Sequence, residues 1–168
     1  NSRAEGINNR GDIVGTADIP PTEFSRSSRA FLLKPGVTMQ DLGRFDVPDN
    51  EGPSSAVGIN EKRQVVGGSA AGPLIGTEPP FHAFLFACEE LRDLGTLGGQ
   101  YSIANAINER GHIVGESSTP EFRNNRAFLF YRGELKDLGT LPGGEFSSAK
   151  DINDKGQIVG GASGPGWE

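Results

Sequence analysis

One phrase occurs four times along this chain of 168 residues. Its pattern is Ser-x-Ala-x-x-Ile-Asn, followed by a short turn and an apolar run ending in Val-Gly, and its copies begin at Ser2, Ser54, Ser102 and Ser147. The isoleucine recurs at spacings of 52 (7 to 59), 48 (59 to 107) and 45 (107 to 152) residues. A period of this size is typical of proteins built from stacked, similar units, none of which can bury its apolar face alone.

Two further phrases keep step with the first. One reads basic-Ala-Phe-Leu and begins at Arg29, His82 and Arg126; the other reads Asp-Leu-Gly and begins at Asp41, Asp93 and Asp137. The order is the same in each unit, so residues 1–168 form a single repeat domain with units at about 2–53, 54–101, 102–146 and a partial fourth at 147–168. Because the chain starts inside a phrase without a Met, we expect a fragment or processed product of a longer protein.

The third unit shows most clearly what one repeat predicts. Residues 102–107 and 112–115 are apolar segments on either side of an Asn-x-x-Gly turn, which is a β-hairpin pattern. Residues 126–131 and 135–139 form a second pair around Gly133. Four short antiparallel strands in about 45 to 50 residues is the size of one β-propeller blade. The expected fold is therefore all-β and β-propeller-like, with two hairpins per repeat, three full repeats and a partial fourth. Another arrangement of repeated antiparallel sheets is the second choice, and a solenoid is the third.

The second unit departs from this pattern at one turn. Arg63 stands where the other units have Gly11, Gly111 and Gly156. A residue with a side chain is disfavoured in the left-handed conformation that such a turn requires. We therefore predict either a strained turn or a turn of another type at Arg63.

Composition and charge exclude several classes of function. With 25 Gly and 11 Pro, the chain has too many helix breakers for long helices. A net charge of −6 with scattered Lys and Arg argues against nucleic-acid binding, which needs clustered positive charge. No segment approaches the roughly eighteen consecutive apolar residues of a membrane helix, so no membrane span is predicted.

No catalytic or metal-binding motif stands out. There is no Gly-x-Ser-x-Gly, no Cys/His metal spacing and no phosphate-binding Gly loop, so we predict no enzyme activity, no metal and no cofactor. The Asp of each Asp-Leu-Gly is interpreted as an acceptor for backbone donors in the adjoining turn. The oxygen-rich segment 46–52 lacks the spacing of an EF-hand and is interpreted as an acidic surface loop.

The segments between the second and third strands differ most among the units. Each carries Pro and Phe, and loops on one face of a repeat array commonly form the binding face. The candidate ligand-binding residues are those of these loops: Phe24, Phe81, Phe122 and Arg123.

The combined phrases resemble the HAF repeat of predicted bacterial extracellular proteins, which is named after the triplet present here at His82-Ala83-Phe84. Asp93-Leu94-Gly95-Thr96-Leu97-Gly98-Gly99 and the phrase starting at Ser102 carry the rest of the resemblance. It implies a secreted or cell-surface bacterial repeat protein and supplies no catalytic residues. The chain departs from the repeat at Arg29 and Arg126, which replace His, and in segment 44–48, which replaces the Gly-rich stretch.

These observations favour a non-enzymatic extracellular or cell-surface module that acts as a structural scaffold, adhesion or assembly surface. Unpaired strand edges at the ends of an incomplete array would favour self-association. The alternative is a carbohydrate- or peptide-binding propeller that holds a glycan or protein ligand with the Pro/Phe loops. A hydrolase or lyase with a site on the propeller axis is the third hypothesis.

Overall fold

The computed structural model describes residues 1–19, 28–45, 52–73, 79–120 and 124–165. Within these ranges the chain is all-β, with 14 antiparallel strands and no helix. The strands are β1 (Ser2–Ile7), β2 (Ile13–Asp18), β3 (Ser28–Leu33), β4 (Gln40–Gly43), β5 (Ser54–Ile59), β6 (Val65–Ala70), β7 (Phe81–Ala87), β8 (Glu90–Gly95), β9 (Ser102–Ile107), β10 (Ile113–Ser118), β11 (Asn125–Tyr131), β12 (Glu134–Asp137), β13 (Ser147–Ile152) and β14 (Ile158–Ala162).

The described strands form four sheets, and within each sheet every strand pairs with the next one along the chain. Sheet 1 contains β1 to β4, sheet 2 contains β5 to β8, sheet 3 contains β9 to β12, and sheet 4 contains β13 and β14. The prediction of an all-β chain of short antiparallel strands is therefore confirmed.

The first hairpin of each sheet is closed by the Asn of the repeated phrase. The Asn8 side-chain oxygen accepts hydrogen bonds from the backbone N–H groups of Arg10 (3.1 Å) and Asp12 (2.9 Å). The Gly11 N–H donates to the Asn8 carbonyl at 3.0 Å, and Gly11 has a φ of 77°, a conformation that suits glycine. The other three sheets close this turn with the same bonds, at Asn60, Asn108 and Asn153.

The Arg63 turn keeps the form of its counterparts. Its N–H donates to the Asn60 carbonyl at 3.1 Å, as the Gly11 N–H does to Asn8, and Arg63 has a φ of 60°. Of the two outcomes that the sequence predicts, the structure has the strained turn.

Alternation along the strands buries the middle sheets on both faces. Val65 packs in a cluster with Val14 and Leu32 of sheet 1, whereas its neighbour Val66 packs with Ile113 and Phe128 of sheet 3. Successive side chains of a strand point to opposite faces, so two adjacent valines serve two different interfaces. A third cluster joins sheet 3 to sheet 4. The core is thus a series of three layers between four sheets.

The approach of the first two strands of each sheet leaves no room for a side chain at the Gly of Val-Gly. A Cβ at Gly67 would lie 1.9 Å from the carbonyl oxygen of Ser55 on the partner strand. Each strand pair bulges next to this contact, between Ala56 and Gly58 in sheet 2. The repeated glycine is therefore required by packing.

The turn between β7 and β8 offers a test of backbone strain. Cys88 and Glu89 both have positive φ, at 53° and 62°, whereas the matching turn between β11 and β12 has Arg132 and Gly133. We expect Glu89→Gly to raise the free energy of unfolding by about 1 kcal/mol, because glycine adopts this conformation without steric cost. The change also removes an exposed hydrogen bond from Gln40, which we expect to contribute little.

Urea unfolding of Glu89→Gly and of the reciprocal variant Gly133→Glu measures this difference. The two variants should shift stability in opposite directions. Equal destabilisation by both would show that the side chains, and not the backbone conformation, control these turns.

Candidate functional site

A buried serine joins each sheet to the preceding one. The Ser54 hydroxyl donates to the Gly43 carbonyl at 2.6 Å and accepts from the Ala30 N–H at 3.0 Å. Ser102 makes the same pair of bonds, to Gly95 at 2.6 Å and from Ala83 at 2.8 Å. So does Ser147, to Gly139 at 2.6 Å and from Ala127 at 2.8 Å. The three repeated phrases therefore meet at one point, which we call the serine bridge: Ser from one unit, with the Ala of basic-Ala-Phe and the Gly of Asp-Leu-Gly from the unit before it.

The turn asparagines form a second connection between sheets. The side-chain amide of Asn8 donates to the Asn60 carbonyl at 3.2 Å, that of Asn60 to the Asn108 carbonyl at 3.1 Å, and that of Asn108 to the Asn153 carbonyl at 3.0 Å. Each asparagine closes its own turn with its oxygen and reaches the next turn with its nitrogen. We call this row the asparagine ladder.

The residue after each asparagine adds a parallel row of bonds. The Asn9 N–H donates to the Glu61 carboxylate at 2.6 Å, the Glu61 N–H to the Glu109 carboxylate at 2.8 Å, and the Glu109 N–H to the Asp154 carboxylate at 2.9 Å. The donors always belong to the earlier unit and the acceptors to the later one. Among the described residues the row of hairpin tips therefore has a direction, because every bond runs from a donor in the earlier unit to an acceptor in the later unit.

An ion pair with a buried carboxylate connects the first two units. The Asp12 carboxylate is fully buried, and its oxygens lie 2.8 Å from Nε and 3.3 Å from Nη2 of Arg63. The hydrogen bond from Arg63 lowers the pKa of Asp12; burial acts in the opposite direction, and the amide of Asn8, 3.0 Å from the carboxylate, lowers it further. The strained turn at Arg63 thus places its guanidinium against a buried acid of the neighbouring unit.

In sheet 2 the basic residue and the Asp of the second hairpin also interact. His82 Nδ1 lies 2.9 Å from Asp93 Oδ2, across the pair β7 and β8. Burial tends to raise the pKa of Asp93, but the hydrogen bonds from His82 and from the Gly95 N–H outweigh it, so that the pKa is lowered. As predicted, the Asp of each Asp-Leu-Gly accepts from the backbone N–H of its glycine, at 2.7 Å in all three cases.

Two sheet faces have no neighbouring sheet among the described residues. The first, which we call the rear face of sheet 1, contains Ser2, Ala4 and Ile7; all three are exposed, Ile7 by 67%, although the equivalent Ser54, Ala56, Ser102 and Ala104 are buried. The second, the front face of sheet 4, contains Val159, which is 63% exposed, while Val14, Val66 and Val114 are fully buried. These two faces therefore expose the equivalents of the residues that are buried at the interfaces between sheets.

Phe81 is the one predicted ligand-binding residue within the described ranges. It begins β7, is partly buried, and its ring stacks on Tyr101 with centroids 6.0 Å apart and planes at 16°. A Cβ at Gly68 would lie 2.2 Å from the ring, so the ring covers this glycine. Phe24, Phe122 and Arg123 lie outside the described residues. Ligand binding by these four residues stays a prediction.

The described part of the chain holds neither a metal-binding cluster nor a membrane-crossing helix. No cluster of three or more His, Cys, Asp or Glu side chains there could hold a metal ion. Most of the acidic segment 46–52 lies outside these ranges. None of the described segments is a helix with the length and apolar character needed to cross a membrane.

Comparisons with protein-family models, with curated proteins and with solved structures each gave no match.

The serine bridge predicts that loss of the serine hydroxyl lowers the free energy of unfolding strongly at the buried serines and little at the exposed Ser2. We expect Ser102→Ala to lower the free energy of unfolding by about 2 kcal/mol, because the Ala83 N–H and the Gly95 carbonyl lose their shared partner in a buried interface. Ser2→Ala is the matched control, since Ser2 is exposed, and it should change stability by less than about 0.5 kcal/mol. Urea unfolding measures both; equal effects would contradict the role of the bridge.

The Asp12–Arg63 pair predicts non-additive effects. Arg63→Gly relieves the strained backbone but leaves a buried carboxylate without its cation, so we expect the melting temperature to fall by about 5 °C. Adding Asp12→Gln recreates the Gln/Gly combination that Gln64 and Gly111 make, and should restore wild-type stability or exceed it. A double variant no more stable than Arg63→Gly would contradict the pairing.

The same pair predicts a pH dependence. Because the pKa of Asp12 in the folded state lies below its ordinary value of 3.8, its ionisation stabilises the fold above that value. This contribution is lost as the pH falls through the lowered pKa. Urea unfolding at several pH values below 5 should therefore show a smaller acid loss for Asp12→Gln with Arg63→Gly than for the wild type. Identical dependence of stability on pH in the two proteins would contradict a stabilising role of the ionised Asp12.

Proposed function

We propose that this chain is a non-enzymatic β-repeat module, of the HAF-repeat type, that acts as a structural scaffold or assembly surface outside the cell or at its surface. In this proposal the four sheets are propeller-like blades, three of them full repeats and the fourth partial. The observation that carries the proposal is the recurrence of one inter-sheet contact set at three successive interfaces, with its components exposed on the rear face of sheet 1 and the front face of sheet 4.

The repeated polar side chains support a scaffold because their hydrogen bonds join sheets. Serine, the turn asparagine and the acid that follows this asparagine in sheets 2 to 4 connect adjacent units through the same kinds of bond each time. A chain that extends or closes by adding units needs such standard contacts. The extracellular location rests on the HAF resemblance.

The two open faces are complementary in hydrogen bonding. The Asn153 amide donates to Gln157 at 2.8 Å, as the Asn60 amide does to Gln64, but Asn60 also donates to the carbonyl of the next turn. At the other end of the array, the Asn8 carbonyl is equivalent to the Asn108 and Asn153 carbonyls, which accept a bond from the asparagine amide of the preceding turn. Docking of the front face of one copy on the rear face of another would continue the asparagine ladder head to tail, and such contacts build rings or filaments.

Light scattering over a range of protein concentrations tests this proposal. We expect the mass to rise above the 17.8 kDa of one chain as concentration increases, with rings or filaments in electron micrographs of the same sample. Val159→Asp on the front face should abolish the increase, whereas Val37→Asp, at another exposed apolar position, should leave it unchanged.

A single 17.8 kDa species at every concentration would contradict assembly as the function. Loss of assembly in both variants would indicate non-specific association and would also contradict the proposal.

A further inference from the structure

The repeated contacts between sheets do not distinguish one sheet from another. At the serine bridge a hydroxyl of one sheet binds a backbone carbonyl and a backbone N–H of the sheet before it. In the asparagine ladder a side-chain amide binds a backbone carbonyl of the next turn. Each full unit offers the same backbone groups at the same positions, so these contacts allow several orders of sheets. Exchange of equivalent sheets between chains is a characteristic folding error of repeat proteins.

One position at the interfaces changes its chemistry from sheet to sheet. It is the residue directly after the first turn of each sheet, at Asp12, Gln64, His112 and Gln157. Asp12 and Gln64 are held alike, because each accepts a hydrogen bond from its own turn asparagine, at 3.0 Å and 2.8 Å. Each also faces the turn of the next sheet. Arg63 Nε lies 2.8 Å from Asp12, and a Cβ at Gly111 would lie 3.7 Å from the Gln64 side-chain oxygen.

Asp12 restricts which sheet can follow sheet 1. Its carboxylate is fully buried and receives two hydrogen bonds from the Arg63 guanidinium. Sheets 3 and 4 have Gly111 and Gly156 at the position of Arg63. If either of these sheets docked on sheet 1, the carboxylate would be buried without this cation, which is strongly unfavourable. Gln64 is neutral and does not require a cation in the sheet that follows it.

A second pair of charges is likewise confined to one interface. Lys150 Nζ of sheet 4 lies 3.5 Å from the Glu116 carboxylate of sheet 3, whose side chain is 15% exposed. The equivalents of Glu116 in sheets 1 and 2 are Thr16 and Gly68, and those of Lys150 in sheets 2 and 3 are Val57 and Asn105. The acid and its cation therefore occur together. Because Lys150 is mostly exposed, we expect this pair to discriminate less than the buried one.

We propose that the Asp12–Arg63 pair is a specificity determinant that fixes which sheet follows sheet 1. Asp12 accepts sheet 2 as its neighbour and rejects sheets 3 and 4, whether these belong to the same chain or to a second copy. The specificity comes from the cost that a buried, unpaired carboxylate imposes on the wrong neighbour. The proposal concerns an internal interface and holds whether or not copies of the chain assemble.

Refolding tests the proposal, because the sheets compete with one another only while they are docking. The whole chain with Val159→Asp on the front face is the parent protein. It is unfolded in urea and refolded by dilution at several concentrations. Size-exclusion chromatography with light scattering measures the fraction of chains above the monomer mass. The fraction in a sample that was never unfolded is subtracted, which leaves the chains that exchanged sheets during refolding.

We expect Asp12→Gln with Arg63→Gly, added to the parent, to increase the exchanged fraction at least about fivefold. This double variant removes the selection and creates the Gln/Gly combination of the next interface. Gln40→Ala with Glu89→Ala is the matched control. It removes an exposed hydrogen bond of 2.8 Å between the same two sheets and should refold as the parent does.

A variant of sheet 3 tests the selection from the other side. Gly111→Arg gives sheet 3 the cation that Asp12 binds, so we expect it to increase the exchanged fraction. Gly111→Ala is its control, because it places an uncharged side chain in the same backbone conformation, with a φ of 79°. This second comparison also serves if the Asp12→Gln, Arg63→Gly variant does not fold.

Equal exchange in the parent and in the Asp12→Gln, Arg63→Gly variant would overturn the proposal and leave the pair as a stabilising contact alone. Equal exchange in Gly111→Arg and Gly111→Ala would also overturn it, as would an increase in the Gln40→Ala, Glu89→Ala control that matches the double variant. Self-assembly is measured on chains that were never unfolded, so its failure is distinguishable from the failure of this proposal.

Discussion

The serine bridge is the interaction on which the rest of the structure depends. In sheets 1 and 2 the pairing of the third and fourth strands is irregular beside Ala30 and Ala83, and these alanines lie opposite Gly43 and Gly95. One hydroxyl from the next sheet binds both the alanine N–H and the glycine carbonyl. Because a buried backbone group without a partner is costly, each sheet is completed by the sheet that follows it.

Burial on two faces is the second constraint. Adjacent residues such as Val65 and Val66 belong to different clusters, so an inner sheet has no polar face and cannot be stable in isolation. The first and last sheets expose the same residue types that the inner sheets bury. An array of this kind is expected to gain stability with each added neighbour.

Much of this fold could be predicted from the sequence, because hairpins depend on local chemistry. Asn-x-x-Gly turns, the alternation around Ile-Val and the Asp before Leu-Gly each act within a few residues. The strain at Arg63 was predictable for the same reason, since it concerns the conformation of one residue. These features need no knowledge of what lies beside the unit.

The contacts between units could not be predicted from local sequence in the same way. The sequence predicts only the turn that the asparagine closes, whereas in the structure its amide nitrogen also binds the next turn. In the sequence Arg63 stands out only as a departure from Gly, whereas in the structure it pairs with Asp12, about one repeat earlier. The sequence nevertheless contains a clue to this pair. Asp12 is the only acid among the four equivalent positions after the turn, and Arg63 is the only arginine among the four equivalent turn positions. Pairing variable positions of successive repeats would have found it.

Native-state hydrogen exchange at Ala30, Ala83 and Ala127 tests the central role of the serine bridge most directly. Each of these N–H groups donates to a serine of the following sheet, so its exchange reports whether the two sheets stay joined. We expect all three to exchange as slowly as the core amides of Val66 and Val114, and Ser102→Ala to accelerate Ala83 far more than Ala30. Fast exchange of all three amides in the wild-type chain would contradict a structure held together by these bridges.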